Sequence, residues 1–185
     1  MDFKEVTLEN LIYEASQTEE GKRELKERGL EINGVLYRQL DLGSYGRADL
    51  IEMSIDTEHN IAELTVYELK QNVINVNTLI QAYRYKRALE DLYIEKVPIW
   101  VNVVLIGKNI NTEDWVYILP SISDIAIITY EFSLKGLFFK KAELEGFYKE
   151  GNNNKTLELL ERDYKKFVER EKEGKDKRKS KENGI

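Results

Sequence analysis

Three charged side chains stand at the two ends of a predicted β-hairpin. Asp49 opens its first apolar run, and Glu68 and Lys70 close its second, with the polar stretch DTEHN between the runs. Alternate side chains of a strand share a face, so Glu68 and Lys70 point the same way. A symmetric hairpin turning within DTEHN pairs positions whose numbers sum to about 117, which places Asp49 opposite Glu68. We expect these carboxylates to be adjacent at one end of a sheet.

Adjacent carboxylates repel each other unless a cation lies between them or one of them holds a proton. Mg²⁺ removes that cost, because it prefers one or two carboxylates together with waters and phosphate oxygens. The alternative is an ordinary pair of charges, Glu68 and Lys70, on a solvated sheet face, where such pairs contribute little. That alternative does not account for an aspartate at the matching depth of the neighbouring strand.

The composition restricts any metal site to oxygen ligands. The 185 residues include no cysteine and one histidine, His59, so thiolate and histidine-rich metal sites are excluded. The net charge of −6 argues against a globally basic surface for nucleic acid but not against a local basic track. Without a signal-peptide pattern or an apolar run of about 20 residues, we expect a cytoplasmic protein that does not enter a membrane.

The elements that must position these residues follow from periodicity and turn signals. Apolar spacing predicts a first helix over residues 7 to about 28, capped near Thr7 and ended by Gly29. Three strand-like runs follow, then a second helix over residues 77 to about 95. The almost wholly apolar run PIWVNVVLIG is typical of a central, parallel strand. The predicted order is αβββαβ.

Further strand-like sequence follows, with a turn at Lys135 and Gly136, and the spacing over residues 156 to about 172 predicts a charged terminal helix. We therefore expect one domain over residues 1–150. Residues 151–185 would add that helix and a disordered basic tail, beginning with an asparagine-rich linker.

These motifs together resemble the PD-(D/E)XK nuclease superfamily, over about residues 5 to 107. GRADL and ELK stand where that family has its aspartate and its E-x-K strand, with Ala48 in place of the proline. The Q-x-x-R-Y pattern formed by Gln81, Arg84 and Tyr85 resembles the RecB-like and NucS-like branch, which groups with resolvase-like nucleases. The resemblance implies an α/β fold with a restriction-endonuclease-like core: an αβββαβ mixed sheet flanked by helices, here with extra C-terminal strands and a terminal helix.

The resemblance also implies roles for individual residues. Asp49 and Glu68, with the Leu69 carbonyl, would hold Mg²⁺ or Mn²⁺, and Lys70 would orient the attacking water and stabilise charge on the phosphate. A glutamate of the first helix would join them. Both Glu9 and Glu14 are candidates, and they point different ways on a helix; we favour Glu14.

Three side chains remain as candidate nucleic-acid contacts, and Gln81 would contact the scissile region or fix the lysine. Arg84 and Tyr85 would meet phosphates or stack on a base, and Arg47 is the third candidate for binding nucleic acid. Core packing is the alternative for Tyr85.

The resulting expectation is a Mg²⁺-dependent endodeoxyribonuclease that hydrolyses phosphodiester bonds, with DNA as its partner and a homodimer left open. The alternative is a catalytically silent member of the same fold that serves as a DNA-binding or structural and interaction module. Metal binding would discriminate between the two.

Overall fold

A mixed β-sheet forms the centre of the molecule and carries helices on both faces. The computed structural model describes residues 4–59, 61–93, 98–111 and 125–142. In these ranges the helices are α1 (Glu5–Ser16), α2 (Glu19–Glu27) and α3 (Val76–Tyr93), with a short 3-10 turn at Gly43–Tyr45. The strands are β1 (Val35–Asp41), β2 (Arg47–Asp56), β3 (Ile61–Leu69), β4 (Val73–Ile74), β5 (Ile99–Gly107), β6 (Asn109–Ile110), β7 (Ile125–Ser133) and β8 (Gly136–Lys141).

Six strands of the described chain form the main sheet in the order β1-β2-β3-β5-β7-β8. The meander β1-β2-β3 and the β7-β8 pair are antiparallel, whereas β5 pairs parallel with both β3 and β7. The short strands β4 and β6 form a separate parallel pair. The predicted α/β class, the three-stranded meander and the central parallel strand are confirmed, as is the turn at Lys135 and Gly136.

The predicted hairpin register is also confirmed. Every pair from Leu50–Tyr67 to Asp56–Ile61 has residue numbers that sum to 117. A slip of one residue would have turned every side chain of one strand to the opposite face. The continuation of this register directs Asp49 towards Glu68.

The first helix differs from its prediction, because residues 7–28 form two helices and not one. Thr18 caps α2, and its hydroxyl accepts a hydrogen bond from the Gly21 amide at 3.0 Å. Gly21 lies so close to α1 that a Cβ there would be 2.1 Å from the Ala15 carbonyl oxygen. The predicted cap at Thr7 is also wrong, since α1 begins after Lys4. Gly29 ends α2 as predicted, with φ of +96°.

The two faces of the sheet have separate cores. Leu8 and Ile12 of α1 pack with Tyr67 and Leu69 on one face. On the other face, α3 packs against Ile51, Leu64 and Val66 in one cluster and against Val103 and Leu105 in a second. Alternation along β3 therefore places Glu68 on the α3 face.

Residues 143–185 lie outside the described residues, and with them the predicted boundary at 150, the terminal helix, the linker and the basic tail. Within the described part of the chain, no helix is both long and apolar enough to cross a membrane.

Candidate active site

The ends of β2 and β3 bring together the charged residues that the sequence analysis singled out. The Leu69 amide donates a hydrogen bond to Asp49 Oδ2 at 2.9 Å, which fixes the aspartate against the last residue of β3. Lys70 Nζ donates to Glu68 Oε1 at 2.6 Å. The Glu68 side chain is 0% exposed and that of Lys70 is 26% exposed, so this ion pair is deeply placed.

The two oxygens of Glu68 differ in their surroundings. Oε1 accepts from Lys70, whereas Oε2 is buried and accepts no hydrogen bond from the described residues. A buried carboxylate oxygen without a donor is costly, because the water it has lost is not replaced. The position therefore favours a proton on Glu68 or a cation beside it.

Burial is the largest influence on both carboxyl groups. It raises the pKa of Asp49 to about 6, with help from the charges of Glu5 and Glu9 and against the Leu69 amide and Lys70. It also raises the pKa of Glu68 to about 7, helped by the charge of Asp49 and opposed by Lys70. The aspartate and the glutamate therefore interact electrostatically across the hairpin.

Lys70 responds to opposing influences. Burial lowers its pKa, but the hydrogen bond and the charge of Glu68, together with the charges of Glu5 and Asp49, outweigh burial and raise it. The ammonium therefore keeps its positive charge beside the two carboxyl groups throughout the neutral range.

The glutamates of α1 that reach this cluster are Glu5 and Glu9. Both act on Asp49 through their charge, and Glu5 also acts on Glu68 and Lys70. They are one helical turn apart and share a face. Our preference for Glu14 is corrected: it is exposed, and it lies nine positions after Glu5, about 180° around the helix. The predicted helix began at Thr7 and so did not include Glu5. The four-residue spacing between Glu5 and Glu9 is the sequence signal that places them on one helical face.

The main chain after Lys70 is held from two sides. The Gln71 amide donates to Glu5 Oε2 at 3.2 Å, and the Gln71 carbonyl accepts from the Tyr130 hydroxyl at 2.5 Å. Sequence analysis missed Tyr130 because β7 joins this region only through the tertiary fold.

The strand that pairs with the aspartate is locally irregular. Pairs Arg38–Leu50 and Leu40–Ala48 flank the position where Gln39 would face Asp49. Gln39 has φ of +52°, which is unusual for a residue other than glycine. Its side chain donates to Glu9 Oε2 at 2.6 Å, so the irregularity connects β1 to the glutamates of α1.

The predicted nucleic-acid contacts have different surroundings. Gln81 Nε2 donates to the Tyr85 hydroxyl at 2.9 Å. The Tyr85 ring is 5% exposed and packs in the core beneath α3, so the predicted role in base stacking is corrected to packing. Arg84 is partly buried near that hydroxyl, where its charge lowers the pKa of Tyr85 against the larger effect of burial. Arg47 is exposed at the start of β2.

The donor set fits a hard cation. Asp49 and Glu68 supply carboxylate oxygens, and the unpartnered Glu68 Oε2 is free to become a ligand. Among the described residues no group of three or more His, Cys, Asp or Glu side chains is arranged to hold a metal. Mg²⁺ does not require such a group, because it retains several waters and binds through one or two carboxylates.

A separate open groove of about 490 Å³ lies elsewhere on the sheet, and Asp49, Glu68 and Lys70 do not line it. It is lined in part by Glu52, the second deeply buried glutamate of the hairpin. Glu52 accepts hydrogen bonds from the Asn33 and Gly34 amides and from the Tyr67 hydroxyl, at 2.6–2.7 Å. Its hydrogen-bonding capacity is met by the protein itself, so it serves to fasten the chain before β1 to the sheet.

The arrangement defines an α/β protein whose meander, α3 and parallel β5 present an acidic pair and a lysine at one end of the sheet. No protein-family model matches the chain, and no curated protein matches it. The chain is similar to the crystal structure of a repair endonuclease from Pyrococcus abyssi, with 24% identity and a TM-score of 0.38. The match covers 58% of this chain and 39% of that one, and at this level of similarity it carries no argument about function.

Proposed function

We propose that the protein is a metal-dependent nuclease that hydrolyses phosphodiester bonds of DNA, with Mg²⁺ or Mn²⁺ held by Asp49 and Glu68. The observation that carries the proposal is the Glu68 carboxylate, which is fully buried beside Asp49 with one oxygen on Lys70 and the other without a donor in the described chain. A structural role would favour a carboxylate whose donors are all present, as at Glu52.

The divalent ion would polarise a phosphoryl oxygen and lower the pKa of a bound water towards neutrality. The chain supplies the rest. Asp49 and Glu68, with the Leu69 carbonyl as a further proposed ligand, hold the ion. Lys70 keeps a positive charge where negative charge develops on the phosphate, an effect that is strong in a site shielded from water.

Other residues would bind and orient the substrate. Gln81 lies on α3, where its amide nitrogen donates to the Tyr85 hydroxyl, and its remaining hydrogen-bonding groups would contact the scissile region or fix Lys70. Arg47 and Arg84 would contact backbone phosphates, which position a nucleic acid without reading its sequence.

Cleavage of linear, circular, branched and single-stranded DNA in Mg²⁺ and in Mn²⁺ tests the proposal. We expect cleavage by the wild type and a loss of at least about 100-fold in Asp49→Ala and Glu68→Ala, because each removes a proposed metal ligand. Glu52→Gln is the matched control, since it changes a buried carboxylate of the same hairpin that lies outside the proposed site. It should lower stability and keep cleavage within severalfold of the wild type.

Calorimetric titration with Mg²⁺, with and without DNA, separates the alternatives. Divalent binding that disappears in Glu68→Ala supports the nuclease. DNA binding by a wild type that binds no divalent ion at millimolar concentration and cleaves nothing would instead support the catalytically silent module.

A further inference from the structure

We propose that Tyr130 is a positioning residue for this site: its hydroxyl holds the main chain of Gln71 and thereby fixes Lys70 against Glu68. The inference rests on the proposed nuclease function. It assigns a role to β7, which lies beyond residues 5–107, the part of the chain that resembles the nuclease superfamily.

The argument begins with the end of β3. That strand ends at Leu69, so Lys70 is the first residue beyond the regular ladder. Its side chain shares a face with Glu68 while the main chain stays extended, because residues two apart in a strand point the same way. Something other than the β2–β3 ladder must therefore hold residues 70 and 71.

Hydrogen bonds from three different elements supply that hold. The Lys70 amide donates to the Ile106 carbonyl of β5 at 2.8 Å. The Gln71 amide donates to Glu5 of α1 at 3.2 Å, and the Gln71 carbonyl accepts from Tyr130 of β7 at 2.5 Å. Both polar groups of the Gln71 main chain are therefore bound by side chains.

Tyr130 is itself rigidly placed. Its side chain is 5% exposed and belongs to the core cluster that includes Leu137 and Phe139. The hydroxyl cannot turn to water without moving the ring out of this core. The placed hydroxyl therefore restricts where the Gln71 carbonyl can lie, and Gln71 follows Lys70 directly in the main chain.

The alternative is that Tyr130 only satisfies its own buried hydroxyl. Tyr67 offers the matched comparison, because it is also a core tyrosine, 3% exposed, whose hydroxyl donates to Glu52 at 2.6 Å. Tyr67→Phe removes the same atom from the same core cluster, but from a hydroxyl that contacts Glu52 and not the main chain of Gln71. A purely structural role predicts that Tyr130→Phe and Tyr67→Phe differ in stability alone.

Steady-state cleavage of DNA by the full chain gives the first comparison. We expect Tyr130→Phe to lower kcat about tenfold with KM within about twofold, because the lysine acts on the reacting groups and not on uniform substrate binding. Tyr67→Phe should keep kcat within about twofold. Equal kcat values for the two variants would overturn the proposal.

Amide hydrogen exchange in the metal-free full chain gives a second readout that needs no cleavage. We expect exchange at the Gln71 amide to be about three- to tenfold faster in Tyr130→Phe than in the wild type, because the amide keeps its bond to Glu5 but local opening of this segment then breaks one hydrogen bond fewer. Tyr67→Phe should leave this amide unchanged. Equal exchange rates of the Gln71 amide in the wild type and in Tyr130→Phe would overturn the proposal that Tyr130 holds the Gln71 main chain.

The two measurements separate the two proposals. A wild type that cleaves no DNA overturns the nuclease, and exchange then decides the hold on Gln71 alone: acceleration in Tyr130→Phe supports it, and equal rates overturn it. Cleavage by the wild type with unchanged kcat in Tyr130→Phe overturns only the role of Tyr130.

Discussion

Glu52 and Glu68 are buried glutamates on neighbouring strands, and they show that burial alone does not identify a functional carboxylate. Glu52 accepts from two main-chain amides and a tyrosine hydroxyl. Glu68 accepts from Lys70, and its second oxygen has no donor in the described chain. The two glutamates differ in their hydrogen bonding, and the sequence does not reveal this difference. Glu52 in EMS and Glu68 in ELK show the same pattern, a glutamate followed by an apolar and then a polar strand residue.

The raised pKa values predict how stability depends on pH in the metal-free protein. The pKa of Glu68 rises from 4.5 to about 7 on folding, and that of Asp49 from 3.8 to about 6. The folded state therefore binds protons more tightly than the unfolded state, so this stability is present at low pH and is lost as pH rises. We expect the free energy of unfolding to fall between about pH 4 and pH 7, by on the order of 3 kcal/mol from Glu68.

Chemical denaturation across this pH range measures the effect. Glu68→Gln should flatten the curve, because it removes the titrating group and keeps a neutral side chain of the same shape. A wild type whose stability rises from pH 4 to pH 7 would contradict the prediction.

Replacement of Lys70 separates its chemistry from metal binding. Lys70→Ala should lower cleavage by about 10²–10³, because the proposed mechanism loses the positive charge that stabilises the phosphate, while Mg²⁺ binding persists in calorimetry at pH 8. Lys86→Ala is a suitable control, since Lys86 is also largely buried and donates to the Val101 carbonyl at 2.8 Å. Loss of Mg²⁺ binding in Lys70→Ala would show that the lysine shapes the site rather than the reaction.

At the scale of elements, the sequence predicted the features that depend on local residues, but it did not predict the interruption between α1 and α2. The hairpin register follows from a turn and two alternating runs, which are all local. The break between α1 and α2 depends on the Thr18 cap and on the close approach of Gly21 to Ala15. A glycine within a periodic run is tolerated in a helix, so this signal alone did not predict two helices.

The cap that separates the two helices gives a test at this scale. Thr18→Ala should lower the free energy of unfolding by about 1 kcal/mol, because the Gly21 amide loses its side-chain acceptor. Thr18→Ser keeps a hydroxyl and should cost only a few tenths. Urea denaturation of both variants measures the difference, and equal stability of Thr18→Ala and the wild type would contradict a capping role.

At the scale of the whole molecule, the site draws on elements that are distant in sequence. Glu5 comes from α1, Lys70 from the end of β3 and Tyr130 from β7, and the Gln71 main chain joins them. No sequence spacing relates residues 5, 71 and 130, because their proximity is a property of the assembled sheet. The carboxylates and lysine of the hairpin were predictable for the opposite reason, since one turn sets their separation.

The net charge of −6 makes any DNA-binding track local, and Arg47 gives a test of it. Arg47→Ala should weaken DNA binding similarly for all sequences and reduce the slope of log Kd against log salt by about 1, because one phosphate contact is lost. The measurement uses the Glu68→Ala background to prevent cleavage. Arg23→Ala on α2, where Arg23 is 68% exposed, is the control. If Arg47→Ala leaves the slope of log Kd against log salt unchanged, Arg47 does not contact a phosphate of the bound DNA.

The sheet topology also sets an order of events in time. β2 and β3 are neighbours in sequence, so we expect their hairpin to form first, within about 1–10 μs. We expect β5 to pair with β3 later, because the chain containing α3 must first close a long loop. The Glu68 side chain lies on the α3 face of the sheet, so we expect it to lose its water in that later step. We therefore expect protonation of Glu68 to leave hairpin formation unaffected and to accelerate the docking of α3 and β5.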